Sequence, residues 1–297
     1  MPTRDNALRC LATIKAMIKS VSMVYRRPAQ SVSALVLALL LSATAPISAQ
    51  EHQSENKVTA SNTATADVPV LVELFTSEGC SSCPPADIIL KKLDDFQPIS
   101  GAQLIVLSEQ VTYWDQLGWK DPNSCVVFTD RQNSYEHALS VEEPYTPQFV
   151  IDGSQSVSLE KLQALEDALN KAKGGAKVPL SIGEVKLDPS DPTILRAHIE
   201  TVINSEKHNA DIYVALALNH VESKVLRGEN GGKQLVHVAV VQQLTRIGKL
   251  SKGKSFAQDV QLKLKQPEEL RNLRLVAFVQ ESGPGKLVGA ALWKPAN

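Results

Sequence analysis

The chain has 297 residues, of which 43% are hydrophobic and 21% are charged. This balance excludes fibrous and intrinsically disordered proteins, and it supplies enough apolar material for one large domain or two smaller ones. The formal net charge of −1 at pH 7 provides no excess of lysine and arginine, so nucleic acid is not expected as a partner.

The first fifty residues have the pattern of an export signal. A basic pair that begins at Arg26 precedes an apolar run over residues 31–41, and small residues lead to Ala49. A membrane anchor is the alternative, but the run is shorter than the roughly 20 apolar residues that span a bilayer. We therefore predict a signal peptide over residues 1–49, a periplasmic or secreted location, and no stable membrane span after cleavage.

The mature chain is predicted to begin with a flexible leader. Residues 50–67 are small and polar without an apolar period, so they cannot bury enough surface to become ordered. After the predicted cleavage site, three cysteines remain, at Cys80, Cys83 and Cys125. In an oxidising compartment an odd count leaves one thiol over, and we expect Cys125 to be a buried or spare thiol rather than a relay.

Strands and helices alternate in the next stretch. Apolar runs predict strands at residues 68–75 and 102–107, and helical spacing predicts helices at 85–96 and 126–139. Two short strands follow Pro147 and meet at a hairpin turn at Asp152-Gly153. A last helix, capped by Ser158, ends at Gly174. This order predicts an α/β domain over residues 68–174, with parallel and antiparallel strands.

The remainder of the chain is predicted to be rich in strands. Short strand-like runs alternate there with turns rich in Gly, Asn, Pro and Lys, without a helical period. The runs cover residues 194–202, 211–218, 235–244, 260–264 and 274–279. Such spacing indicates a smaller, all-β, sandwich-like domain over residues 178–297, and the boundary falls at residues 174–177.

The sequence Cys80-Ser-Ser-Cys83 lies between a predicted strand and a predicted helix. The start of a helix offers unpaired N–H groups and the positive end of its dipole, which stabilise a thiolate. Cys80, farther out on the turn, is therefore the expected accessible nucleophile, and Cys83 would resolve the mixed disulfide. Pro84 and Pro85 suit the first helical turn, where a missing N–H breaks no hydrogen bond.

Two other interpretations of the cysteine pair remain open: a permanent structural disulfide and half of a metal site. A closed zinc site needs four ligands, and the chain has no second cysteine pair or nearby His-x-x-x-His motif. We predict no metal and no cofactor. His137 could act as a copper ligand, but a surface histidine on a helix is the preferred interpretation. His198, His220 and His237 are interpreted as structural, because they lack ligand spacing.

Two further segments could line a substrate site. Pro147, preceded by Thr146, stands at the head of a strand, which is also a common place for a proline without any function, and local chemistry gives no reason for a cis bond there. Tyr113, Trp114 and Trp119 lie in a loop after the second strand. This loop could line a peptide-binding groove, or it could be an ordinary loop held by its own aromatic rings.

Four blocks together give the chain a resemblance to a known family. They are Glu78–Asp87 around the cysteines, Tyr113–Pro122, Tyr145–Gly153 and Arg227–Gly232. In this order they resemble an uncharacterised family of secreted bacterial thioredoxin-like proteins, a domain of unknown function, over residues 68–293. The resemblance implies a thioredoxin-like fold, a cis-proline loop at Thr146-Pro147 beside Cys80, and a β-rich tail. It implies no known substrate.

The sequence departs from ordinary thioredoxins at the cysteines. Glu78-Gly79 replaces the usual tryptophan, and a carboxylate that points inward would disfavour a thiolate. Our leading hypothesis is an exported thiol–disulfide oxidoreductase that acts on cysteine-containing exported proteins or a redox partner protein. Cys80 and Cys83 would be catalytic, and Thr146, Pro147 and Trp114 would contact substrate. The alternatives are a binding or assembly protein with a structural disulfide, and a periplasmic metal chaperone.

Overall fold

The structure is a computed structural model, and it describes residues 67–201, 209–251, 253–265 and 267–295. The predicted signal peptide, and the predicted leader up to residue 66, lie outside the described residues. Within the described ranges, no helix combines the length and apolar character needed to cross a membrane.

Eleven strands and three α-helices make up the regular structure of the described part. In chain order they are β1 (Val68–Thr76), α1 (Pro84–Phe96), β2 (Ala102–Gln110), α2 (Val126–Leu139), β3 (Gln148–Ile151), β4 (Gln155–Ser158), α3 (Leu162–Lys173), β5 (Ser181–Leu187), β6 (Ile194–Thr201), β7 (Ala210–Lys224), β8 (Gln234–Leu250), β9 (Phe256–Lys263), β10 (Leu273–Glu281) and β11 (Leu287–Trp293).

The strands form one large mixed sheet and one small antiparallel sheet. The large sheet has the order β11-β10-β7-β8-β2-β1-β3-β4, and the small sheet has the order β5-β6-β9. Strands β1 and β2 are parallel, as expected for a strand–helix–strand unit, whereas β3 runs antiparallel to β1. The predicted α/β class is therefore confirmed at this level of description.

The large sheet continues across the predicted domain boundary. Strand β8 lies beside β2 in parallel, with Val240 opposite Ser108. Four strands that follow residue 178 thus extend the sheet that β1 to β4 begin. The division into two domains stays a prediction about folding units, but the two segments share one sheet.

Apolar side chains cover both faces of the large sheet. On one face, Leu90 of α1 and Leu169 of α3 pack against β1 to β3. On the other face, Phe128 of α2 packs in a cluster with Phe278 of β10. The small sheet adds a third apolar layer, in which buried residues such as Ile199 pack with β7 and β10. Burial of apolar surface of this kind is the main favourable term in folding.

The local predictions are confirmed in part. Asp152 and Gly153 both have positive φ, 47° and 59°, at the turn between β3 and β4, as the hairpin signal predicts. The prediction that Ser158 caps the last helix is wrong, because Ser158 ends β4 and a 3₁₀ turn at Leu159–Lys161 precedes α3. Strands β5 and β11 were not predicted.

Candidate redox site

The two cysteines lie on the turn that joins β1 to α1. Strand β1 ends at Thr76, Cys83 is the N-cap residue of α1, and Pro84 and Pro85 occupy its first positions. Proline suits these positions because the first N–H groups of a helix have no partner within it. Cys80 and Cys83 form a disulfide bond.

The residues predicted to contact substrate surround Cys80. The Cys80 sulfur lies 3.9 Å from the backbone oxygen of Thr146, and the peptide bond between Thr146 and Pro147 is cis. Trp114 Nε1 donates a hydrogen bond of 2.8 Å to the Thr146 hydroxyl oxygen. Gly79 packs against Trp114, because a Cβ atom at Gly79 would lie 3.0 Å from the Trp114 Cβ. Glycine beside Cys80 therefore allows this close approach.

The expectation that Cys80 is accessible is wrong for the folded state in this structure. Cys80 and Cys83 are both 0% exposed, although Ser81 and Ser82 between them are exposed to solvent. An incoming thiolate therefore cannot reach either sulfur without a change in the surrounding structure.

A loop between β7 and β8 closes over the cysteine turn, and we call residues 225–233 the cover loop. Asn230 Nδ2 donates hydrogen bonds to the backbone oxygens of Glu78, at 2.8 Å, and Cys80, at 2.9 Å. The backbone N–H of Ser81 donates to Glu229 Oε2 at 3.2 Å. The block Arg227–Gly232, one of the four that carry the family resemblance, thus packs against the cysteine turn.

The cover loop also packs against the aromatic loop that follows β2. Gly228 has a positive φ of 77°, and a Cβ atom at this position would lie 3.2 Å from the Trp119 Cβ. Trp119 Nε1 in turn donates a hydrogen bond of 2.7 Å to Glu78 Oε2. Both loops are therefore anchored to the residues just before Cys80.

Beside the disulfide lies a buried group of ionisable side chains, Glu78, Asp87, Asp121 and His237, which we call the acid–histidine cluster. His237 Nε2 lies 3.7 Å from Glu78 Oε1, and His237 Nδ1 lies 3.5 Å from Asp87 Oδ1. Asp121 Oδ2 accepts a hydrogen bond of 2.9 Å from the backbone N–H of Glu78. Each of the four side chains is buried. Glu78 thus points inward, the orientation that disfavours a thiolate.

The pKa values of two cluster members depart from their usual range. Burial by itself would lower the pKa of His237, but the Asp87 carboxylate, followed by Glu78 and Asp121, raises it to about 8. For Asp121, burial and then the Glu78 charge raise the pKa to about 6. These directions follow from desolvation, which penalises a charged form, and from neighbouring charges.

From the sequence, His237 is interpreted as structural, and its position in this cluster is not predicted. No local motif marks His237, since it reaches the cysteine turn only through the position of β8 next to β2 in the sheet. His198 and His220, by contrast, lie on exposed surface and contact nearby carboxylates. Cys125 is free and half-buried at the N-cap of α2, which fits a spare thiol.

No metal site is evident in the part of the chain that the structure describes. Within those ranges, no group of three or more His, Cys, Asp and Glu side chains is arranged to hold a metal ion. The metal-chaperone alternative therefore has no geometric support from these residues.

Comparisons with known proteins give a family and a solved structure with a similar fold. A family model described as "Protein of unknown function (DUF1223)" matches residues 71–280. No curated protein matches the chain. A crystal structure of a protein from Agrobacterium tumefaciens is similar over 79% of this chain and 97% of its own, with 26% sequence identity and a TM-score of 0.61.

A domain of the outer membrane lipoprotein Omp28 from Porphyromonas gingivalis aligns with 40% of this chain and 93% of its own. Its sequence identity is 11% and its TM-score is 0.24, which is too low to support an argument about fold.

Proposed function

Since the chain belongs to the DUF1223 family of proteins of unknown function, we propose from its own residues that it is an exported thiol–disulfide oxidoreductase. Its substrates would be cysteines of other exported proteins or of a redox partner protein. The Cys80–Cys83 pair would carry the reaction, and Thr146, Pro147 and Trp114 would form the contact surface for substrate. The apolar run over residues 31–41 supports export.

One observation carries this proposal: the disulfide joins a strand end to a helix start, directly beside the backbone oxygen of Thr146. A helix N-terminus stabilises a thiolate through its dipole and its unpaired N–H groups. Only two residues, Ser81 and Ser82, separate the two half-cystines, so the same pair can open and close without a large change in the path of the chain between them. These are the requirements for reversible exchange.

The order of elements supports a thioredoxin-like arrangement of the first half of the sheet. Strand β1, helix α1 and parallel strand β2 are followed by α2, the antiparallel hairpin β3–β4, and α3. We include a thioredoxin-like fold for residues 68–174 in the proposal on this ground, together with the resemblance of the four sequence blocks.

The proposed reaction has two steps that balance. A partner thiolate attacks the Cys80 sulfur, a new S–S bond forms, and the Cys80–Cys83 bond breaks with Cys83 leaving as a thiolate. A second partner thiolate then attacks the partner sulfur of the mixed disulfide, forms the partner's own S–S bond and releases Cys80 as a thiolate, so the partner is oxidised and the pair is reduced. In the opposite direction the Cys80 thiolate attacks a partner disulfide, one partner sulfur leaves as a thiolate, and the Cys83 thiolate then attacks Cys80 and releases the other. Because both sulfurs are buried, the first step requires that the surrounding structure opens. The cover loop, which is bound to Ser81 and Cys80, is the part that would move.

The burial of the disulfide also favours a second candidate function. A fully buried disulfide is a normal feature of an exported protein that only needs the bond for stability. In that case the chain would be a binding or assembly protein, and the cover loop would be a permanent part of its core.

Trapping of mixed disulfides separates the two candidates. We would express Cys83→Ser in a Cys125→Ser background and separate whole-cell proteins on a non-reducing gel. Exchange predicts adducts that disappear with reductant and that are absent from the matched Cys80→Ser protein. If the Cys83→Ser protein is folded and exported but forms no adduct, the oxidoreductase proposal fails and the structural role is favoured.

A further inference from the structure

The acid–histidine cluster contains buried polar atoms that the exchange reaction does not explain. Glu78 Oε1, Asp87 Oδ1 and both ring nitrogens of His237 have no hydrogen-bond partner among the described residues. Buried polar atoms are nearly always paired, because an unpaired one costs free energy on folding. These four atoms face one another only at ion-pair distances of 3.5 and 3.7 Å, so the cluster concentrates ionisable groups beside the cysteine turn.

Two carboxylates of the cluster, those of Glu78 and Asp87, are each close along the chain to one of the two cysteines. Glu78 stands two residues before Cys80. Asp87 lies one helical turn beyond Cys83 on α1, its backbone N–H donates to the Cys83 oxygen at 3.2 Å, and residues four apart share a helix face. His237 lies between Glu78 and Asp87 and thus faces both ends of the disulfide turn.

The charges around His237 are mainly negative. Asp87 faces it from α1, Glu78 from the cysteine turn, and Asp121 from the loop after β2. Lys233 lines the adjoining cavity of about 420 Å³ together with His237, but its ammonium group donates to Asn230 Oδ1. A new thiolate beside three buried carboxylates is unfavourable, since like charges at short range disfavour ionisation.

We propose that the imidazolium of His237 is a positioning residue for the redox pair: it offsets the buried carboxylates and so stabilises the thiolate that forms when the Cys80–Cys83 bond opens. This inference rests on the proposed function for its biological meaning. In the balanced step, the electron pair of the broken S–S bond stays on the leaving Cys83 sulfur, and the proton of His237 remains on the ring. The raised pKa of His237 supplies the cation at neutral pH.

Titration of the reduced protein tests the inference. We would measure the thiolate absorbance as the difference between chemically reduced and oxidised protein, over a range of pH. The proteins compared are wild type, His237→Gln and the control His220→Gln. His220 lies on β7, the strand paired with β8, but it is exposed and its ring contacts Glu222. The control therefore removes a neighbouring imidazole whose described contacts do not involve the acid–histidine cluster. We expect His237→Gln to raise the midpoint of the lower thiol titration by about one pH unit. At a pH below that midpoint, this means a tenfold smaller fraction of thiolate. His220→Gln should leave the midpoint unchanged.

Equal midpoints in folded wild type and His237→Gln would overturn the inference. If His237→Gln does not fold, imidazole NMR titration of wild type decides instead: the buried histidine must titrate at a higher pH in the reduced than in the oxidised protein, and equal values refute the inference. These measurements need only a chemical reductant, so they are independent of the trapping experiment. Absence of adducts in cells would refute the oxidoreductase function and leave the effect of His237 on the sulfur intact.

Discussion

The side-chain amide of Asn230 is bound to the backbone oxygen of Cys80, at 2.9 Å, from the far end of the β7–β8 hairpin. The same amide group donates to Glu78, and Asn230 itself is 0% exposed. One side chain of the β-rich segment therefore closes the cysteine turn. If this contact limits access to the disulfide, weakening it should expose the bond to small reductants.

We expect Asn230→Ala to speed the reduction of the Cys80–Cys83 bond by dithiothreitol about tenfold. The substitution leaves the Glu78 oxygen without a described donor, whereas the Cys80 oxygen keeps the Cys83 N–H at 3.2 Å. An unpaired buried oxygen costs about 1–3 kcal/mol in the closed state, and 1.4 kcal/mol corresponds to a factor of ten. The rate would be measured by trapping free thiols at intervals under native conditions.

Asn219→Ala is the matched control for this rate. Asn219 also donates from one amide to two backbone oxygens, those of Arg271 and Leu273, both at 3.0 Å, but it lies away from the cysteines. Equal reduction rates for the two variants would contradict the role assigned to the cover loop.

Two glycines of the cover loop allow its packing to be tested separately from its backbone conformation. Gly228 and Gly232 have similar positive φ values, 77° and 81°, so alanine at either position costs about 1–2 kcal/mol of backbone strain. At Gly228 the added Cβ also meets the Trp119 Cβ at 3.2 Å, whereas at Gly232 no described atom lies within 4 Å. We expect Gly228→Ala to open the loop further.

Reduction rates and thermal unfolding of the two alanine variants check this expectation. Gly228→Ala should be reduced faster and melt at a lower temperature than Gly232→Ala. A faster reduction of Gly232→Ala would show that packing against the aromatic loop does not hold the cover in place.

The cysteine turn could be predicted from sequence, whereas its surroundings could not. The preference of proline for the first turn of a helix depends only on residues close in sequence. Pro84 and Pro85 after the two cysteines therefore predict the N-terminus of α1 correctly. The hairpin at Asp152-Gly153 is likewise decided by the φ values that these residues tolerate.

The cover loop and His237 depend instead on which strands become neighbours. The strand-like run at residues 235–244 is visible in the sequence, but its parallel contact with β2 is a single pairing between Val240 and Ser108. Nothing in the local pattern of either strand indicates that pairing. The contact of Asn230 with the cysteine turn, and the position of His237 between Glu78 and Asp87, depend on this long-range pairing and are therefore seen only in the three-dimensional structure.

The stability of the oxidised protein should fall as pH rises from about 6.5 through 8. The folded state raises the pKa of His237 from 6.5 to about 8, so the imidazolium stabilises the fold fully below pH 6.5 and this contribution is lost above pH 8. This shift in the pKa of His237 corresponds to a loss of about 2 kcal/mol in the free energy of unfolding across the range. The pKa of Asp121 is also raised in the folded state, to about 6, so folding favours its neutral form. Its contribution to stability therefore also falls as pH rises, but over a lower pH range that ends near 6.

Denaturant unfolding of oxidised wild type and His237→Gln at pH 6 and pH 9 measures this contribution. We expect the free energy of unfolding to decrease between the two values in wild type and to change much less in the variant. A wild-type protein that is more stable at pH 9 would be incompatible with a buried imidazolium.

A second buried ion group, on the other side of β1, predicts unequal effects at two neighbouring glutamates. Arg131 of α2 contacts Glu73 at 2.5 Å and Glu109 at 3.7 Å. Glu73 also accepts from the Tyr135 hydroxyl at 2.8 Å, whereas both Glu109 oxygens have no described hydrogen-bond partner. Burial, and then the charge of Glu73, raises the pKa of Glu109 well above its usual range, so Glu109 favours the neutral form.

We therefore expect Arg131→Met to lower the free energy of unfolding by about 3–5 kcal/mol, because it leaves a buried carboxylate without its cation. Glu109→Gln, which replaces a neutral acid by a neutral amide of the same shape, should cost less than about 1 kcal/mol. Glu73→Gln should fall between the two, since it removes the charge that pairs with Arg131. Urea unfolding at pH 7 gives all three values, and a Glu109→Gln cost as large as that of Arg131→Met would mean that Glu109 is the ionised partner.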